Sequence, residues 1–181
     1  MGNIIEDFLK ERSFAYDRVV GNVGKELVRT LLEECGYSVY PFGYESYCTH
    51  VKDLMHKGKV RRIPQLQRMP DLLVVAEEME DIVLVEVIVR TRKTAKVADI
   101  GKQKLEELRR YWPDSILAVV LPKSEYVFYA ENINKLEITD PEFVNFDISD
   151  SPINKVFPKI DGYPEVLKEL QELCRKLFAE I

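Results

Sequence analysis

The run Asp81-Ile-Val-Leu-Val-Glu-Val-Ile-Val-Arg90 constrains the rest of the chain more than any other. Its apolar, β-branched residues fall on both parities, the pattern of a strand buried on both faces of a sheet. Side chains alternate along a strand, so Ile82, Leu84, Glu86, Ile88 and Arg90 share one face. Val83, Val85, Val87 and Val89 share the other, which is wholly apolar and reads as core. Such a strand needs layers packed over both faces, which points to an α/β architecture. An ionised carboxylate in the middle of it costs several kcal/mol unless it is paired or holds a metal, so Glu86 needs a partner.

Asp71 is the nearest candidate. Arg68-Met-Pro-Asp-Leu-Leu-Val-Val-Ala76 reads as the preceding strand, with Asp71 at its mouth after Pro70. If the turn from Ala76 to Glu80 pairs the two strands as a hairpin, both carboxylates sit at one end. Two such acids suit Mg²⁺ (or Mn²⁺), which takes one or two carboxylates together with waters and phosphate oxygens. The alternative is structural: Glu86 in a salt bridge to Arg90 or to a helix lysine, with Asp71 merely opening a strand.

The 181 residues, 46% hydrophobic and 31% charged, suffice for one globular domain spanning 1–181, with its core at about 20–130. Residues 131–181 form an acidic loop segment and a closing helix. Asn3–Val19 has helical periodicity, and Gly21 and Gly24 restart the chain as a second helix to about Cys35. That helix turns Val20, Val23, Leu27, Leu31 and Cys35 inward and ends at Gly36, with Lys25 closer to this stripe than Glu26. Strands follow at Tyr37–Phe42, Ser115–Leu121 and Tyr126–Ala130, giving a mixed sheet flanked by helices. A helix from roughly Thr94 to Tyr111, stopped by Pro113, points Val97, Ile100, Leu105, Leu108 and Trp112 inward. Lys104 falls on that stripe with Gln103 beside it. Lys104 either snorkels past the apolar surface, or it or Gln103 reaches the Asp71/Glu86 pair. Asn132–Ile160 is loop-rich and acidic. The closing helix at Pro164 carries a broad apolar face from Val166 to Phe178, which packs on the sheet or makes a homodimer contact.

The net charge of −5 argues against wholesale coating of nucleic acid, but charge is unevenly spread. Lys52–Arg68 holds six Lys/Arg against one acid, and Arg90–Arg110 eight against three. Lys57, Lys59, Arg61, Arg62 and Arg68 in the first, and Arg90, Arg92 and Lys93 in the second, are candidates for phosphate contact, with Tyr44, Tyr47 and His50 as stacking rings. A solvated surface excursion is the plainer reading. Cys48, His50 and His56 match no common zinc spacing. Cys35, Cys48 and Cys174 lack paired spacing and read as reduced thiols of a cytoplasmic protein. The first ten residues are not a signal sequence, and no stretch is long and apolar enough to span a membrane.

Pro70-Asp71, then Glu86-Val87-Ile88 on a buried strand, after Gly21-Asn-Val-Gly24 opening a helix and before a polar helix, resembles the PD-(D/E)XK nuclease superfamily over about residues 20–122. The resemblance is to its restriction-endonuclease-like and archaeal Holliday-junction-resolvase-like members. It implies a restriction-endonuclease-like mixed sheet flanked by helices, Asp71 and Glu86 as Mg²⁺ or Mn²⁺ ligands, and phosphodiester hydrolysis in DNA, with RNA the alternative. The chain departs from the pattern twice. Ile88 stands where the motif ends in a lysine, and counting eleven residues back from Gly36 to the first-helix acid lands on Lys25, with Glu26 one step on. The resemblance mildly favours Lys104 or Gln103 at the site, since family members often carry lysine or glutamine on this helix. Two readings follow: a divergent metal-dependent nuclease, or a nuclease-like fold whose chemistry has lapsed and which binds nucleic acid or scaffolds a subunit.

Overall fold

The structure, a computed structural model, describes residues 2–43, 54, 57–59, 61, 63–76, 81–91, 97–136, 143–147 and 151–179, with side chains described at all of these except 2–14, 97–102 and 143–147. It opens on one helix, α1 (Gly2–Glu34), not the two expected on either side of Gly21. Glycine weakens a helix by roughly 0.5–1 kcal/mol but does not break it, and here α1 is held along its second half by packing. Val20, Leu27, Val28, Leu31, Leu32 and Cys35 are buried, whereas residues 15–19 are exposed. The helix closes as the sequence predicts. Gly36 takes φ +83°, the Gly36 N–H donates to Glu33 O and the Tyr37 N–H to Leu32 O, a Schellman stop.

Five strands form the main sheet: β1 (Ser38–Pro41), β2 (Leu72–Ala76), β3 (Asp81–Val89), β5 (Ile116–Val120) and β6 (Phe128–Asn132), in the order β1-β2-β3-β5-β6. The β3–β5 pair is parallel and the others antiparallel. This is the mixed α/β sheet flanked by helices that the buried strand required. A single-turn helix, α2 (Pro64–Gln67), precedes β2. β3 is exposed at its start, with Ile82 at 61%, and buried from Val85 to Ile88. Its even face, through Ile88, joins Leu105 and Leu108 of helix α3 (Lys102–Tyr111) in the smaller of two apolar cores. Its odd face joins β2, β5, α1 and the closing helix α4 (Pro164–Leu177) in the larger one.

Two expected elements differ. The helix read from Thr94 begins only at Lys102; Val97 and Ile100 lie instead on β4 (Val97–Gly101), paired antiparallel with β7 (Phe143–Asp147). A short apolar run fits either period, and pairing with a distant strand decided it. The segment read as loop from Asn132 thus contributes β7, together with three 3₁₀ turns at Ile133–Lys135, Ile153–Lys155 and Pro158–Gly162. On α4, Leu170, Cys174 and Phe178 are buried against the α1 side, while Leu173 and Leu177 stay 44% and 47% exposed. Its broad apolar face is only half used. Burial pushes the Cys35 and Cys174 thiols up to about 11 and about 12, so both are inert, uncrosslinked core residues.

The contact that sets α1 on the sheet is at Gly24. A β-carbon there would lie 2.1 Å from Val89 Cγ2, and Val89 Cβ stands 3.5 Å away. Gly24→Ala should therefore lose up to about 2 kcal/mol, overpacking of about 1–3 kcal/mol set against the roughly 1 kcal/mol that alanine gains in a helix. Adding Val89→Ala should recover much of the loss beyond additivity. Urea midpoints at constant m-value check this, and strict additivity would show that the contact is not limiting.

Candidate active site

Continuing the Leu72↔Val85 register by one step places Asp71 directly opposite Glu86 across the β2–β3 hairpin. Opposed residues of antiparallel strands share a face, and like charges there repel. Asp71 is fixed by its backbone and its side chain: its carbonyl accepts from the Phe42 and Gly43 N–H groups at 2.9 and 3.3 Å, and Oδ2 from the Val87 N–H at 2.9 Å. Proline before it and the end of β1 beside it thus hold the carboxylate at the sheet's rim.

Each acid meets a lysine from a different layer. Lys25 Nζ of α1 lies 2.6 Å from Asp71 Oδ1, and Lys104 Nζ of α3 lies 2.6 Å from Glu86 Oε1. Even so, the Glu86 carboxyl is pushed up to about 7, first by burial and then by the Asp71 charge, with Lys104 and Lys25 opposing. Burial of the ionised form, more than charge imbalance, is what the two ammoniums fail to offset. The pair opens into a cavity of about 550 Å³ that Asn22, Lys25, Arg68, Asp71, Glu86 and Lys104 help to line.

Of the two α1 candidates, Lys25 faces Asp71. Glu26 borders the cavity, but its carboxylate is 68% exposed and lies 3.5 Å from Arg29. Gln103 is exposed and donates to Glu107 Oε1 at 3.2 Å; it does not line the cavity. Arg68 lines it and is ion-paired to Glu107, whose carboxyl the Arg68 hydrogen bond holds below its usual range. Ile88, at the motif's lysine position, is 5% exposed. Beside it Lys104 and Arg90 share a second cavity of about 330 Å³. The Arg90 guanidinium donates to Val89 O at 3.1 Å, and burial pulls its pKa down against the charge of Asp17. Lys57, Lys59 and Arg61 are exposed. Arg62, Arg92, Lys93, Tyr44, Tyr47 and the Cys48/His50/His56 set lie outside the described residues.

Asn22, Glu107 and Asp17 carry no expectation from sequence. The available signal was helical spacing, which puts Asn22 three residues before Lys25 and Glu107 three after Lys104 on shared faces.

Two carboxylates that still repel with an ammonium on each fit a hard dication such as Mg²⁺ or Mn²⁺, whose ligands are oxygens and which keeps several waters. Among the described residues no group of three or more His, Cys, Asp or Glu converges. No helix among them is long and apolar enough to cross a membrane.

No family model matches the chain, and no curated protein does. Among solved structures it is similar to Hjc of Archaeoglobus fulgidus, a Holliday junction resolvase from an archaeal hyperthermophile, at 16% identity and a TM-score of 0.48, over 75% of this chain and 97% of that one. The chemistry is read from the side chains.

Proposed function

We propose that the chain is a metal-dependent phosphodiester hydrolase of the PD-(D/E)XK type, acting on DNA with RNA as the less favoured substrate. The observation that carries this reading is the opposition of Asp71 and Glu86 across one hairpin, facing a cavity and flanked by an ammonium from each helix layer. Asp71 and Glu86 hold Mg²⁺ or Mn²⁺, which when bound lowers the pKa of its water and stabilises charge on the phosphate. Hydrolysis forms a bond from water oxygen to phosphorus and breaks one phosphorus–ester oxygen bond. Lys104 supplies from α3 the ammonium that Ile88 cannot. As a donor without a lone pair, it grips a phosphate oxygen or orients water. Arg90, charged throughout the working pH range, holds a neighbouring phosphate from the second cavity.

The same pairing favours a second reading. Two carboxylates and two ammoniums can close on one another as a spent, neutral cluster, leaving a fold that binds nucleic acid or scaffolds a partner without cleaving. Incubation with labelled linear, single-stranded and branched DNA in Mg²⁺ or Mn²⁺ separates the two. Cleavage supports the hydrolase, and retention without cleavage supports the binding module.

Whether the chain cleaves DNA or only binds it, charge reversal at Lys59, Arg61 and Arg62 should weaken DNA binding roughly tenfold or more. It should also flatten the plot of log affinity against log salt by about 0.9 for each phosphate that the protein no longer neutralises. Unchanged binding curves across a salt series would remove this patch from the interface.

A further inference from the structure

We infer that Lys25 is a built-in second cation, so that the site takes one divalent ion and not two. This rests on the metal-dependent reading above. Many nucleases use two ions about 3.5–4 Å apart, one for the attacking and one for the leaving oxygen. Here the carboxylate supply is short. Both Asp71 oxygens are engaged, Oδ1 by Lys25 at 2.6 Å and Oδ2 by the Val87 N–H at 2.9 Å. Glu86 Oε1 is engaged by Lys104 at 2.6 Å. A carboxylate has lone pairs enough to add one shared ion to such partners. The next acid on the cavity wall, Glu26, is 68% exposed and lies beside Arg29, so it supplies no third ligand.

Charge gives the same answer. Two ammoniums already offset the two carboxylates, so one dication suffices for a phosphodiester and for the further negative charge that develops as water attacks. A second dication would sit against the Lys25 ammonium, with no third buried carboxylate for it among the described residues of the cavity wall. Lys25 thus occupies the Asp71 side of the cavity where a second ion would have to bind, and it offers N–H donors to phosphate oxygens in that ion's place.

The test counts bound Mn²⁺ on the full chain by calorimetry and by electron paramagnetic resonance. The wild-type chain should bind one ion, with an uncoupled six-line spectrum, and lose it in Asp71→Ala. Lys25→Glu should bind two, with a spin-coupled spectrum. Lys25→Met, which removes the ammonium without adding an oxygen ligand, should bind one ion roughly tenfold more tightly. It carries the test if Lys25→Glu does not fold, as judged by thermal melting. Two ions in the wild type would overturn the inference while leaving the metal-dependent reading intact. The same holds if the stoichiometry and affinity of both Lys25 variants match the wild type. No ion in the wild type would overturn both.

Discussion

Asp71→Ala should lower cleavage of a DNA substrate by roughly a thousandfold or more, with Asp71→Asn close behind it. Metal-borne stabilisation of transition-state charge is worth several kcal/mol, and each 1.36 kcal/mol is tenfold in rate. Removing a carboxylate that holds the ion forfeits most of it. The two variants differ in what they do to the fold. Alanine leaves the Val87 N–H without the acceptor it has at 2.9 Å, a loss of about 1–3 kcal/mol for an unsatisfied buried donor. Asparagine keeps an oxygen for Val87 and loses only the charge. Loss of cleavage in both, with Asp71→Asn melting near the wild type, assigns the effect to chemistry. If both variants cleave like the wild type, Asp71 is not part of the reaction, and the reading of this cavity as the active site fails.

How far the site was legible in the sequence depended on which interactions are local. Glu86 announced itself because a lone acid in a run of buried valines and isoleucines has to be answered. Asp71 followed because a short hairpin ties its position to that of Glu86 through register. Lys104 was legible as a cation on an apolar stripe, although the stripe's first members, Val97 and Ile100, proved to lie on a strand. The choice of Lys25 over Glu26 was not legible. A one-residue step turns a helical side chain by about 100°, so it depended on the rotation of α1 on the sheet, which the contact of Gly24 with Val89 sets. Neither the continuity of α1 nor the β4–β7 pair could be read, for a common reason. A glycine in a helix and a five-residue apolar run are locally ambiguous, and each was decided by partners remote in sequence.

The buried acid also makes stability depend on pH, in a direction opposite to that of an ordinary salt-bridged carboxylate. Glu86 has an ordinary value of 4.5 and is raised in the folded chain to about 7, chiefly by burial and then by Asp71, against Lys104 and Lys25. Between those two values the folded state holds more protons than the unfolded one, so stability falls as pH rises through the window. The contribution is fully present below about pH 4.5, and above about pH 7 the whole cost of burying the ionised group is carried. At about 1.4 kcal/mol per pH unit, the window from 4.5 to about 7 is worth on the order of 3 kcal/mol. Glu86→Gln keeps the shape of the protonated acid and cannot ionise. In metal-free buffer it should match the wild type near pH 4 and exceed it by on the order of 3 kcal/mol near pH 8, as urea unfolding at both values would show. The comparison between variants cancels the titrating groups that do not interact with Glu86. A dication should narrow the gap at pH 8, because it neutralises Glu86 in the wild type and has one ligand fewer in the variant. A Glu86→Gln chain less stable than the wild type at pH 8 without metal would mean that the Lys104 pairing outweighs desolvation, and that this carboxylate is a structural ion pair and not a site held ready for a cation.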